Sequence, residues 1–178
     1  RWPSMDACEI HSFGMEYLTF PWMDLFFGDQ ADQYRKEHVE EQLLSISYCS
    51  LIDHFQHEVY ANPNCGPDKR HKIWKELEAI YLPNRDYGDL SYFDKGAFWQ
   101  KQLHLYHSPF YMIDYALAQV CALQIYANSQ KDFGKAFQDY LKICKVGGSL
   151  SFLEIVELGG LKSPFLPDTL KDVLGQHE

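Results

Sequence analysis

Two glutamates, Glu9 and Glu16, interrupt the otherwise apolar and aromatic run at residues 5–27, MDACEIHSFGMEYLTFPWMDLFF. Their spacing is close to two helical turns, so on a helix both carboxylates share one face, with Ser12 and Phe13 between them. Apolar residues on every side predict a buried helix, and a buried carboxylate is costly unless it is paired, hydrogen-bonded or metal-bound. One way to meet that demand is a salt bridge or a hydrogen-bonded core network. The other makes Glu9 a metal ligand and Glu16 a carboxylate that orients a neighbouring ligand. Spacing alone leaves both open.

A second constellation is His104, His107, Tyr111 and Tyr115 in QLHLYHSPFYMIDYALAQ. Tyr111 and Tyr115 are one turn apart on a common helix face, and Pro109 interrupts the helix before them. Histidines and phenolic hydroxyls converging at such a break can hydrogen-bond a carbonyl oxygen as it becomes anionic. The plainer reading is that tyrosines on an apolar helix are packing residues with satisfied hydroxyls. A third set is Asp53-His54-Phe55-Gln56-His57, in which Asp53 with His57, and His54 with Glu58, stand at i,i+4. Surface or interhelical hydrogen bonds are the expectation there, in preference to a metal site. His38, His71 and His177 sit among charges and read as solvent-facing.

The motifs that are absent narrow the chemistry. The chain has no G-x-G-x-x-G, P-loop or G-x-S-x-G elbow, no Glu-x-x-His pair of the di-iron type and no H-E-x-x-H.

The elements that must carry these groups all read as helices. Ser4 is placed to cap the first, and Asp6 lies in its first turn, where the dipole favours a negative charge. Pro21 should kink or restart that helix and Gly28 end it. Residues 29–61 form a long helix whose first half is charged; from Val39 on, Leu43, Ile46, Leu51, Phe55 and Val59 make an apolar stripe at helical spacing. A turn follows at 62–68, with Asp68 as a candidate cap, and then a helix over 69–82 stopped by Pro83. Residues 83–95 read as a loop. Further helices are expected at 96–107, 110–127, 130–145 and 149–158, with a last one starting near Asp168. The fold class is all-α, with antiparallel helices and short connections, in a single helical unit over 1–178.

Composition agrees with that reading. The 178 residues carry 16 Lys plus Arg against 25 Asp plus Glu, a net charge of −9, which argues against binding a phosphate backbone. No uncharged stretch reaches the length of a membrane span. The chain starts at Arg1 without Met or a leader, which reads as a truncation. Five scattered cysteines with no Cys-x-x-Cys pair point to free thiols in a reducing cytoplasm.

Taken in order, the segments DACEIHSFGMEYLTFPWMDLFFG, DHFQHEVYANP, IWKELEAIYLPNRDYGDL and WQKQLHLYHSPFYMIDYALAQ resemble oligoendopeptidase F-like zinc peptidases of the wider thimet-oligopeptidase family. The resemblance extends to SPFLPDTLKDV near the end. It implies the C-terminal part of a zincin-like catalytic domain, a multi-helix half-domain of a cytoplasmic enzyme that cleaves short peptides. In that family an H-E-x-x-H helix supplies two zinc-binding histidines and a catalytic glutamate, and a later glutamate is the third ligand. Glu9 in CEIHS matches that glutamate, and Glu16 a second acidic residue on the same helix. The H-E-x-x-H helix itself is not in this sequence.

The family also places a histidine and tyrosines where they hold the substrate and stabilise the oxyanion formed when water attacks the peptide carbonyl. His104 matches that histidine and Tyr115 a tyrosine; Tyr111 and Tyr106 are the alternatives for a further one, because the spacing differs from thimet oligopeptidase. The resemblance therefore implies a Zn2+ site of which this chain holds one ligand, partners that are short peptide substrates and the remainder of the same enzyme, and no catalysis by this chain alone. The competing expectation is a non-catalytic helical module that binds peptides or a protein partner and keeps Glu9 and Glu16 as a structural pair.

Overall fold

The computed structural model describes residues 1–175; His177 lies outside them. Nine α-helices and no strand are found among the described residues: α1 (Met5–Leu18), α2 (Asp24–Phe27), α3 (Ala31–Ala61), α4 (Pro67–Tyr81), α5 (His104–His107), α6 (Met112–Lys131), α7 (Phe133–Val146), α8 (Phe152–Leu158) and α9 (Thr169–Leu174). The all-α class is as expected. No helix among the described residues is long and apolar enough to cross a membrane. All five cysteines are free thiols.

Local sequence accounts for most boundaries. Pro21 sits in a 3-10 turn, Phe20–Trp22, that separates α1 from α2, and Gly28 at φ 51° ends α2. Leu25 and Phe26 are 79% and 74% exposed, so the apolar run is not buried throughout. Its periodicity holds only as far as the proline. Gly66 takes the cap position of α4 with Pro67 in its first turn, which leaves Asp68 inside that turn and not at the cap. Asp132 caps α7 by accepting from the Lys135 N–H at 2.9 Å, and Glu154 reaches back to the Ser151 N–H at 2.8 Å to start α8.

The chain gathers into two compact units, Arg1–Leu43 with Leu117–Glu178, and Leu44–Ala116. The sequence reading of one helical unit did not distinguish them. In the first unit Ala7, Ile10 and Leu18 of α1 pack with Cys121 and Ile125 of α6, Tyr140 and Ile143 of α7, and Ile155 of α8. Gly14 lets α1 come close: a Cβ there would stand 3.1–3.3 Å from Ile125 and Tyr140. Tyr17 is fully buried, and its hydroxyl accepts from the Gln119 amide at 2.6 Å.

In the second unit Leu51, Ile52 and Phe55 of α3 pack against Trp74 and Leu77 of α4, with Phe98, Trp99, Met112 and Ala116 closing the core. Buried Glu78 accepts from Trp74 Nε1 at 3.2 Å and from the Tyr87 hydroxyl, which ties the 82–92 connection to α4.

The continuous helix expected at 96–107 is broken. A π-helical turn (Phe93–Ala97), a 3-10 turn (Phe98–Lys101) and the one-turn α5 replace it. Only glycine fits at position 96, where φ is 90° and a Cβ would lie 2.1 Å from the His71 carbonyl oxygen, and Gln102 turns extended at ψ 99°. Phe110, at φ 62°, is the one non-glycine residue with positive φ among those described. Its ring rests on His57 at 5.0 Å and Tyr60 at 4.9 Å, contacts that hold the strained turn leading into α6.

Candidate active-site residues

The proposed site residues fall in both units. In the first, the α1 face opposite the core carries Glu9, Ser12 and Glu16. Ala7, Ile10, Gly14, Tyr17 and Leu18 are the buried positions of this helix, so the carboxylates are turned away from the core and only partly covered. The Ser12 hydroxyl donates to Glu9 Oε2 at 2.7 Å and fixes one carboxylate oxygen.

Glu16 meets a residue that the sequence placed in solvent. His38 of α3 is 10% exposed in its side chain, and its Nε2 lies 3.2 Å from Glu16 Oε2. The two groups are in close contact, although the carboxylate is off the N–H direction of a hydrogen bond. The imidazole is packed edge-on against Tyr17 at 5.4 Å and Phe20 at 5.5 Å. His71 is also misplaced by the sequence reading. It is half-buried, with Nε2 inside the protein and Trp99 at 6.0 Å, because Gly96 folds over its backbone. Charged neighbours along a helix describe one face; a single histidine among them can still point inward.

In the second unit His104, Tyr111 and Tyr115 come together. The His104 ring stands at 90° to Tyr115 with centroids 5.7 Å apart, and Tyr111 lies 6.2 Å from His104 and 4.9 Å from Tyr115. His104 Nε2 is 3.5 Å from the Tyr115 hydroxyl. All three side chains are partly exposed, so a ligand can reach them. His107 is exposed on the far end of the same short turn.

Gln102, which sequence reasoning missed, sets the state of the histidine. Its Oε1 accepts from the Tyr48 hydroxyl at 3.0 Å, and its Nε2 donates to His104 Nδ1 at 3.0 Å. Nδ1 is thereby the acceptor of a neutral imidazole, and the ring proton sits on Nε2, facing Tyr115. Burial pushes the Tyr48 phenol up to about 12, so it remains a donor at neutral pH. The Tyr115 hydroxyl is placed to accept from the imidazole Nε2–H. The signal in the sequence was only an amide two residues before a histidine.

Tyr106 joins a different group. Its ring faces Trp99 at 6.5 Å and its hydroxyl donates to the Gln100 carbonyl at 3.4 Å, so it is not among the rings packed on His104. The Asp53–His57 segment makes the local and interhelical contacts expected of it. His57 Nε2 is 3.4 Å from Asp53 and His54 Nε2 3.8 Å from Glu58, while His54 Nδ1 is 3.1 Å from the Tyr81 hydroxyl.

Among the described residues no three His, Cys, Asp or Glu side chains form a metal-binding group. A catalytic zinc site needs three protein ligands and one open position. Glu9, an accessible carboxylate oriented by Ser12, suits one of those three; the described residues do not make up a complete site.

A model of peptidase family M3 matches residues 1–173. No curated protein matches the sequence. A solved structure assigned as an oligoendopeptidase F superposes with a TM-score of 0.95 at 48% identity, covering 98% of this chain and 31% of that one. PZ peptidase A, solved with an inhibitor, gives 0.95 at 44% identity, with 98% and 31% covered. A protein from Bacillus anthracis str. Ames, assigned to the same oligoendopeptidase F group, gives 0.83 at 41%, with 99% and 28% covered. The chain thus spans less than a third of each of these relatives. With the family model matching nearly every residue and the all-α fold shared, the chain belongs to peptidase family M3.

Proposed function

We propose that this chain is the C-terminal part of the catalytic domain of a cytoplasmic zinc oligoendopeptidase that hydrolyses peptide bonds in short peptides. The observation that carries the reading is the tyrosine-flanked, neutral His104 in a chain of this family. An Nε2–H and two phenols at one accessible spot make a donor set of the kind that stabilises a carbonyl oxygen as it gains charge. Tyr115 donates to that oxygen, His104 holds the Tyr115 hydroxyl, and Tyr111 is the second phenol. Glu9 serves as one zinc ligand, and Glu16, held by His38, keeps the face of α1 ordered beside it. When bound, the zinc supplies Lewis-acid polarisation of the peptide carbonyl and activation of water. Residues 1–178 alone, with one ligand, cleave nothing.

The test uses the full gene product that contains this chain: cleavage of a quenched fluorescent peptide with and without chelator, alongside zinc content. Chelator-sensitive cleavage with about one zinc per chain is the expected result. Glu9→Ala is expected to fold and to lose tight zinc binding, and stoichiometric zinc retained by that variant would remove Glu9 from the ligand set. A full-length protein without zinc or cleavage would instead be a helical binding module.

A further inference from the structure

Three side chains from separate elements of the second unit meet at the Gln102 amide. Tyr48 of α3 gives its hydroxyl proton to Oε1 at 3.0 Å, and His104 of α5 takes a proton of Nε2 on its Nδ1 at 3.0 Å. Met112, the first residue of α6 and buried, brings its sulfur to 3.6 Å from the same Nε2. A primary amide carries two N–H protons and one acceptor oxygen, so the three contacts engage both protons and the oxygen.

The three partners do not constrain the amide equally. A hydroxyl can face either end of an amide, as donor to the oxygen or acceptor from the nitrogen. A thioether sulfur has no proton and can only accept, so it suits the nitrogen and opposes the oxygen. Met112 therefore selects which end of Gln102 lies on its side, and Tyr48 then secures the oxygen at the other. With the amide held this way, the nitrogen is the end that faces His104.

That orientation decides the use of one proton on Tyr115, whose hydroxyl is 3.5 Å from His104 Nε2. With Gln102 Nε2 donating to Nδ1, the ring proton lies on His104 Nε2, and the Tyr115 oxygen is the acceptor. Reversing the amide would set Oε1 against Nδ1 and draw the ring proton there. Nε2 would become a bare lone pair, and Tyr115 would donate to it. A phenol has a single proton, so a Tyr115 that gives it to the imidazole has none for a carbonyl oxygen.

We infer that Tyr48 and Met112 are positioning residues, which fix the Gln102 amide so that the Tyr115 proton stays available to the reacting carbonyl. The inference rests on the reading of Tyr115 as an oxyanion donor and assigns the control of that donor to two residues that never touch it through the amide directly.

Nitrogen-15 spectra of the histidine-labelled full gene product test it, with His104 assigned by the signals that vanish in His104→Gln. At about pH 9, where histidines are neutral, the wild type is expected to show His104 unprotonated at Nδ1 and protonated at Nε2. Gln102→Glu keeps the shape but offers only acceptors, and is expected to move the proton to Nδ1. Its kcat is expected to fall by about 10²-fold with KM nearly constant, as for the loss of one oxyanion donor. Tyr48→Phe combined with Met112→Leu releases the amide and is expected to give a mixture of the two tautomers. Should that double variant not fold, Met112→Leu alone takes its place with the same expectation. A wild-type His104 protonated at Nδ1, a Gln102→Glu variant still unprotonated there, or a released amide with the wild-type tautomer unmixed would each overturn the inference. The spectra are read without turnover. A protein with the expected tautomers that cleaves no peptide refutes the peptidase reading, and one that cleaves with His104 in the other tautomer refutes this inference alone.

Discussion

His38 Nε2 stands 3.2 Å from Glu16 Oε2, and the imidazole that makes this contact is clamped by the rings of Tyr17 and Phe20. The histidine side chain is 10% exposed and the carboxylate 43% exposed, so the carboxylate is the less enclosed of the two. His38→Leu fills the aromatic box but releases Glu16. In the full-length enzyme the expected result is a zinc affinity lowered by about 10–100-fold, the usual cost of losing an outer-sphere partner. Titration against a competing chelator measures it, and an unchanged affinity would show that Glu16 has no bearing on the metal.

Tyr115→Phe removes the hydroxyl and leaves the ring against His104. A fall in kcat of about 10²-fold with KM nearly constant is expected in the full-length enzyme, as for the loss of one oxyanion donor. Gln102→Leu is expected to give a smaller fall, because the imidazole loses the amide that selects its tautomer. Steady-state kinetics on both variants separates the two roles; a KM effect alone would make Tyr115 a binding residue.

Gly96→Ala has no room. The added carbon would sit 2.1 Å from the His71 carbonyl oxygen, and the residue would have to hold φ 90°. A loss of about 2–4 kcal/mol in denaturant unfolding of the second unit is expected, from backbone strain and forced displacement together. Wild-type stability in this variant would mean that the 93–97 turn rearranges freely.

Acid weakens the first unit through His11. Burial against α7, with Cys144 Sγ 3.6 Å from Nδ1, lowers its pKa below the ordinary histidine value. In that window the unfolded chain binds a proton that the folded chain refuses. The contribution of His11 is therefore complete above the ordinary histidine range and is lost as pH falls through it towards the folded value. Denaturation midpoints compared between about pH 7.5 and 5 should fall less in His11→Gln than in the wild type. Parallel slopes would clear His11 of the effect.

How far the sequence carries can be judged residue by residue. The long helix expected at 29–61 is found at Ala31–Ala61, because its apolar stripe and terminal turns are local signals. The helix expected at 96–107 fails because Gly96 answers to His71 on α4, a tertiary demand that no periodicity records. The common face of Glu9 and Glu16, and that of Tyr111 with Tyr115, were readable from spacing; whether His104 joins the two tyrosines across Pro109 was not. Nor were their partners. His38 and Gln102 act through groups brought in from other elements, and their own neighbours in sequence say nothing of it. Tyr106, placed with His104 by resemblance, faces Trp99 because the chain turns extended at Gln102 and α5 runs for a single turn.

The first unit is assembled from the two ends of the chain, while the second is one continuous stretch. Tyr17 waits for Gln119, 102 positions later, and His11 for Tyr140, 129 positions later. At synthesis rates of about 5–20 residues per second, α1 leaves the ribosome several seconds before its partners exist. We expect residues 44–116, whose contacts are all nearer in sequence, to acquire structure first. Pulsed amide exchange during refolding would register α4 protected before α1, and the reverse order would refute it. In the interval the residues of α6, α7 and α8 that share a core with Ile10 and Leu18 are not yet made, so α1 waits for them.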